Sequence, residues 1–126
     1  MLGSGLRKMK IRKALKKDIP AIVEMIAKDK LGKLREDYKN PLPDSYYNAF
    51  KNISMDSNQE LVVIEDATTI IGTLQLSFIQ YLTYQGSIRA QIEAIRVHEE
   101  YRGKGIGQKL FEWAIARAKE KGAHVL

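Results

Sequence analysis

The 126-residue sequence predicts a mixed α/β fold, and three observations carry that expectation. Apolar residues recur at helical spacing in two places, at Ile19, Ile22, Val23 and Ile26 and again from Ile106 to Ala118. Between them lie compact runs with strand-like alternation, the longest from Ser87 to His98. The elements follow the order strand, helix, helix, three strands, helix.

At this length there is room for one domain with one hydrophobic core. The 44% apolar content is that of a globular chain. No apolar run approaches the length of a membrane span, and the amino terminus lacks the apolar stretch of a signal peptide. Cysteine is absent, which removes disulfides, thiolate metal sites and a cysteine nucleophile together and fits a cytoplasmic protein. The two histidines, with Glu65, Asp66, Glu99 and Glu100 lacking paired ligand spacing, give no expected metal site. A formal charge of +6 favours anionic partners, a phosphorylated cofactor as well as nucleic acid. Residues Met1 to Lys8 read as an expression scar before a start at Met9, which leaves 9–126 as the domain.

The first strand is expected over Lys10 to Leu15. Asp18 reads as a helix N-cap with Pro20 in the first turn, and the helix should run to about Lys30. After the charged stretch Leu31 to Asn40 and the prolines at 41 and 43, Asp44 offers a second N-cap before Tyr46, Tyr47 and Phe50. Leu61 to Ile64 and Ile70 to Ile79 read as a hairpin around the turn Glu65 to Thr68. A third long strand, Ser87 to His98, follows the Gln85-Gly86 turn. A helix from Gly105 to Lys121 ends at Gly122, the residue type favoured just past a helix end. Its apolar arc of Ile106, Leu110, Phe111, Trp113, Ala114 and Ala118 should be core.

The alternation of the third long strand changes phase. Ile88, Ala90, Ile92 and Ala94 are apolar at even positions, whereas beyond them Ile95 and Val97 are apolar at odd ones. One extra residue near Ala94, a β-bulge, would restore the register. A strand covered on both faces is the other reading, because alternation then carries little meaning.

After this strand comes Arg102-Gly103-Lys104-Gly105-Ile106-Gly107 and then the amphipathic helix. Glycines permit positive φ and close approach of main-chain N–H groups to an anion. The helix start adds unpaired N–H groups and the positive end of its dipole, while Arg102 and Lys104 add full charges. This is the composition of a phosphate cradle. It is not a Walker loop, since Gly103-Lys104 is followed by Gly105 rather than Ser or Thr. It matches a dinucleotide fingerprint poorly, since Gln108 occupies the third glycine position and the motif comes late in the chain.

On these residues the sequence resembles the GNAT superfamily of N-acetyltransferases. Arg102, Gly105 and Gly107 match its cofactor signature, and Glu93-Ala94-Ile95-Arg96-Val97 resembles its bulged fourth strand. Ile11 to Ala14 with Asp18-Ile19-Pro20 is similar to its first strand and helix. The resemblance implies a central, mostly antiparallel sheet flanked by helices, with acetyl-CoA as co-substrate and an amine as acceptor. It places the pantetheine arm on the main chain of Ile95, Arg96 and Val97, and the pyrophosphate on the amides of Arg102, Gly103, Lys104, Gly105, Ile106 and Gly107 with Gln108 adjoining. It also implies direct attack by the amine on the thioester. An alkylammonium with a pKa of about 10 must first lose a proton, and Glu93, on the polar side just before the expected bulge, is the candidate base. The Ile95 N–H is the candidate donor to the thioester carbonyl. Glu93 could instead face solvent or pair with Arg89 or Lys109.

Other residues carry weaker claims. His98 at a strand end reads as solvated, and Tyr46, Tyr47 and Phe50 as core-packing aromatics. Tyr81 and Tyr84 could line a pocket or simply end a strand.

Ala123-His124-Val125-Leu126 reads as a strand just begun. In the family a further helix and two strands follow, commonly with the tyrosine that protonates the departing thiolate. The chain is therefore expected to lack the last helix and strands, to be weakly active or inactive, and to self-associate as a homodimer or domain-swapped oligomer. Two other readings stand beside transfer: a non-catalytic acyl-CoA-binding module, and a nucleic-acid-binding domain suggested by Lys8, Lys10, Arg12, Lys13, Lys16 and Lys17. That basic cluster lacks interleaved aromatics, so no nucleic acid or membrane partner is expected.

Overall fold

The computed structural model describes residues 8–125; most of the expected scar (1–7) and Leu126 lie outside the described residues. Five strands form one sheet in the order β1-β2-β3-β4-β5. Strands β1 (Met9–Lys13), β2 (Gln59–Asp66), β3 (Thr69–Gln80) and β4 (Ile88–Val97) pair antiparallel with their neighbours. Strand β5 (Ala123–Val125) runs parallel to Ile88, Ala90 and the residue between them. A parallel pair needs a long crossover, and helix α4 (Ile106–Glu120) supplies it.

Alternation along β2 and β3 sends successive side chains to opposite faces. Val62, Ile64, Leu74 and Leu76 pack against Ile106, Leu110, Ala114 and Ala118 of α4. Val63 instead joins Ile19, Ile22 and Val23 of helix α1 (Ile19–Ala27). Helix α3 (Asp44–Met55) covers the same face as α1, and Tyr46, Tyr47 and Phe50 pack there as expected. Each fully buried Leu or Ile contributes about 1.5–3 kcal/mol. Gly72 is required by this packing, because a Cβ there would lie 2.8 Å from Ile64 Cγ2 and 3.1 Å from Leu110 Cδ1. Between α4 and β2, Arg117 grips the buried carboxylate of Glu60 through Nε at 2.9 Å and Nη2 at 2.7 Å.

Five local expectations are corrected. The first strand ends at Lys13 rather than Leu15. Asp18 does not cap α1: it closes a 3-10 turn, accepts from the Leu15 N–H at 2.7 Å, and holds Arg12 through two bonds of 2.7 and 3.0 Å. Helix α1 stops at Ala27 because the chain folds straight back on it. Gly32, which opens the short helix α2 (Gly32–Arg35), sits so close that a Cβ would lie 2.0 Å from the Ile26 carbonyl oxygen. Finally, Phe111 is 38% exposed and Trp113 only half-buried, so the core stripe of α4 is narrower than its apolar arc. Asp44 opens α3 from its first turn and makes no capping bond.

Candidate functional site

The phase change in β4 is a bulge. Thr73 pairs with Arg96 and Gln75 with Glu93, so Leu74 faces both Ala94 and Ile95. Ala94 takes up the extra residue with φ 55°, a left-handed conformation that costs a non-glycine residue about 1–2 kcal/mol. Core packing compensates. The bulge turns Ile95 and Val97 onto the α4 face that Ile92 already occupies, and all three pack against the same cluster.

The bulge also decides what the strand leaves open. The His98 N–H bonds the Ile71 carbonyl of β3 at 2.8 Å. Alternation then points the N–H and C=O of Val97 to the opposite edge. Along that edge β5 accompanies β4 only as far as Ala90 among the described residues. Among the described residues the main-chain N–H and C=O of Val97 therefore have no strand partner.

Beyond β4 a 3-10 turn spans Glu99–Tyr101, with His98 Nδ1 accepting from the Glu100 N–H at 3.2 Å. The Tyr101 hydroxyl donates to Asp66 at 3.2 Å and ties the turn to β2. Burial, and then this bond to a carboxylate, hold the Tyr101 phenol above its ordinary pKa. Gly103 and Gly105 follow with φ of 78° and 80°, and α4 begins at Ile106. A Cβ at either glycine would meet nothing within 4 Å, so glycine is needed there for conformation, not for space.

The first helical amide with an intramolecular acceptor is Lys109, bonded to Gly105 O at 3.1 Å. Among the described residues the N–H groups of Gly103, Lys104, Gly105, Ile106, Gly107 and Gln108 meet no protein acceptor. They lie at the positive end of a 15-residue helix, beside the exposed side chains of Arg102 and Lys104. Buried Ile106 and Leu110 anchor that helix end. The bulged strand and the loop meet where Gly107 approaches Val97 Cγ2, 3.8 Å from a Cβ position. Val97 and Gly107 thus bring the end of the bulged strand against a segment that carries free main-chain donors.

Glu93 sits on the other face of the sheet, exposed, opposite Gln75. Its carboxylate accepts from the Gln91 side-chain amide and pairs with neither Arg89 nor Lys109; Arg89 stacks on Tyr81 at 4.5 Å instead. An open groove of about 500 Å³ runs past it, lined by Asp56, Gln59, Ser77, Gln80 and Gln91 among others. Tyr84 is 83% exposed and His98 caps a turn, so neither joins Glu93. Sequence reasoning missed the side chain of Arg96, which reaches Asp29, 67 residues away, at 2.7 Å. No local signal marks such a pair.

No group of three or more metal-binding side chains occurs among the described residues, and no helix there is long and apolar enough to cross a membrane. The model of the acetyltransferase (GNAT) family matches residues 28–126. A transcriptional regulator from Bacillus halodurans is 51% identical, with a TM-score of 0.90 over 93% of this chain and 78% of that one. Glucosamine-6-phosphate N-acetyltransferase from Arabidopsis thaliana shares the fold at 24% identity and a TM-score of 0.73, over 93% of this chain and 78% of that one. A predicted acetyltransferase from Clostridium acetobutylicum, solved with acetyl-CoA, does so at 23% identity and 0.72, over 94% and 79%. No curated protein matches. With its family model covering most of the chain, and its sheet and helices arranged as in these acetyltransferases, the protein belongs to the acetyltransferase (GNAT) family.

Proposed function

We propose that this chain binds acetyl-CoA along the bulged end of β4 and transfers the acetyl group to an amine by direct attack in a ternary complex. The observation that carries the reading is the run of six unpaired amides, Gly103 to Gln108, at the start of α4 where Gly107 meets Val97 of β4. Such donors favour a diphosphate, and the adjoining main chain of Ile95 to Val97 suits an extended amide-bearing arm. Arg102 and Lys104 add charge where the phosphates would lie.

In the transfer step the ammonium first loses a proton through water to Glu93, a C–N bond then forms as the thioester C–S bond breaks, and CoA departs as its thiolate and is protonated from solvent. Glu93 is exposed and lines the open groove of about 500 Å³. The Ile95 N–H is the candidate donor to the developing oxyanion. Titration calorimetry with acetyl-CoA tests the binding reading, and thiol release in the presence of amines tests transfer. Glu93→Gln should lower turnover about hundredfold, in the range for loss of a general base, while leaving acetyl-CoA affinity unchanged. Unchanged turnover would remove Glu93 from the mechanism. Binding without any turnover across amines would favour a non-catalytic acyl-CoA module.

A further inference from the structure

We propose that Arg96, clasped to Asp29, is a positioning residue that sets the main-chain orientation of the bulge and hence the affinity for the pantetheine part of an acyl-CoA. The inference rests on the acyl-CoA reading above. The guanidinium makes two contacts at once. Its Nη2 donates to Asp29 Oδ2 at 2.7 Å, and its Nη1 donates to the Ile95 carbonyl at 2.8 Å. The second contact lies on the peptide that joins the bulge to the straight end of β4.

The acceptor end of the clasp is itself tied to the neighbouring main chain. Asp29 Oδ1 takes the Leu31 N–H at 3.0 Å, and Gly32 packs directly on the end of α1. Hydrogen bonding from Leu31, and then the charge of Arg96, keep the Asp29 carboxyl below its ordinary pKa and therefore ionised near neutrality. The Arg96 Nε is buried and meets no acceptor among the described residues. The two contacts hold it in place.

The need for such a constraint is visible one residue earlier. Ala94 at φ 55° is strained, and strained residues persist only where their surroundings over-determine them. Fixing the Ile95 carbonyl fixes the plane of the Ile95–Arg96 peptide, the first one beyond the bulge, and so limits how the peptides on either side of it, which carry the Ile95 and Val97 N–H groups, can turn. The two acceptors are met by separate nitrogens of one rigid plane, an arrangement that the single flexible ammonium of lysine does not reproduce. The loop at 102–108 has separate anchors, the Tyr101–Asp66 bond and buried Ile106 and Leu110. Loss of the clasp should therefore disturb the bulge and spare the loop.

The test is calorimetric binding of two probes to the wild type, Arg96→Met, Arg96→Lys and Asp29→Asn. The probes are CoA and 3′-phospho-ADP, the same nucleotide without its pantetheine arm. Arg96→Met and Asp29→Asn should weaken CoA roughly tenfold, the loss of about one charge-assisted hydrogen bond, and leave 3′-phospho-ADP unchanged. Arg96→Lys should recover thermal stability but not CoA affinity. Should Arg96→Met fail to fold, the other two variants make the same comparison. Equal CoA affinity in all four proteins, or parallel weakening of both probes, would overturn the proposal. A wild type that binds neither probe would instead overturn the acyl-CoA reading, and the proposal with it.

Discussion

Two turns in this protein share a left-handed backbone and differ in what they do with their donors. In the β3–β4 connection, Tyr84, Gln85 and Gly86 have φ of 52°, 60° and 74°. There the Gly86 and Ser87 N–H groups bond the carbonyls of Leu82 and Thr83, and Tyr81 N–H bonds Ser87 O. The Gln80 side-chain amide closes the turn further by donating to the carbonyls of Tyr81 and Gly86. In the loop before α4, Gly103 and Gly105 have φ near 80°, yet the amides from 103 to 108 remain unpaired among the described residues. Positive φ therefore marks both, and free donors at a helix start mark only one. A left-handed glycine says that the chain turns sharply; where the N–H groups go says whether an anion can be held.

The largest expected effect would break this contrast outright. Gly105→Val places a β-branched residue at φ 80°, costing about 1–2 kcal/mol, and redirects amides whose hydrogen bonds to a charged group are worth about 1.5–3 kcal/mol each. Acetyl-CoA affinity should fall about hundredfold. Gly86→Val in the other turn should lower Tm by several degrees and leave affinity unchanged. Equal losses of affinity from both would show that the two turns are not functionally distinct. A smaller effect sharpens the same point. Replacing Arg102 and Lys104 together by Ala should weaken acetyl-CoA about tenfold at low ionic strength and less at high salt, because exposed charges are screened. A salt-independent loss would place those side chains in a structural role.

The smallest effect should leave both turns alike. Burial acts to raise the pKa of the Asp18 carboxyl, but the bonds from Arg12 and the Leu15 N–H outweigh it and the net shift is downward. A carboxyl lowered in the folded state contributes stability above its unfolded pKa of about 4. That contribution is lost as pH falls through the lower folded value. Asp18→Asn should therefore be less stable at neutral pH and show a shallower decline of Tm below about pH 4. Identical slopes in both proteins would mean that the Arg12–Asp18 pair does not contribute to acid sensitivity.

Much of this was legible because its causes are local. The phase change between Ala94 and Ile95 announces the bulge, since alternation has a period of two and the core must be met on one face. The glycines at 103 and 105 and the apolar stripe from Ile106 announce a turn into a helix. The hairpin and the end of α4 at Gly122 are equally local. Less legible was everything that depends on two distant segments meeting. Asp18 looked like a cap because Asp before a helix commonly is one, yet Arg12 and the Leu15 N–H compete for its carboxylate. Phe111 looked like core because the helical pattern cannot show how wide a stripe the sheet covers.

By itself, then, the sequence determined the order of the elements, the position of the bulge and the run of residues able to cradle an anion, because propensity, alternation and glycine conformation act over a few residues. The tertiary structure alone decided that the amides from 103 to 108 lack internal partners among the described residues, and that Arg96 reaches Asp29. Those facts depend on which surfaces meet when the sheet closes over its two cores. No window along the chain contains both sides of such a contact.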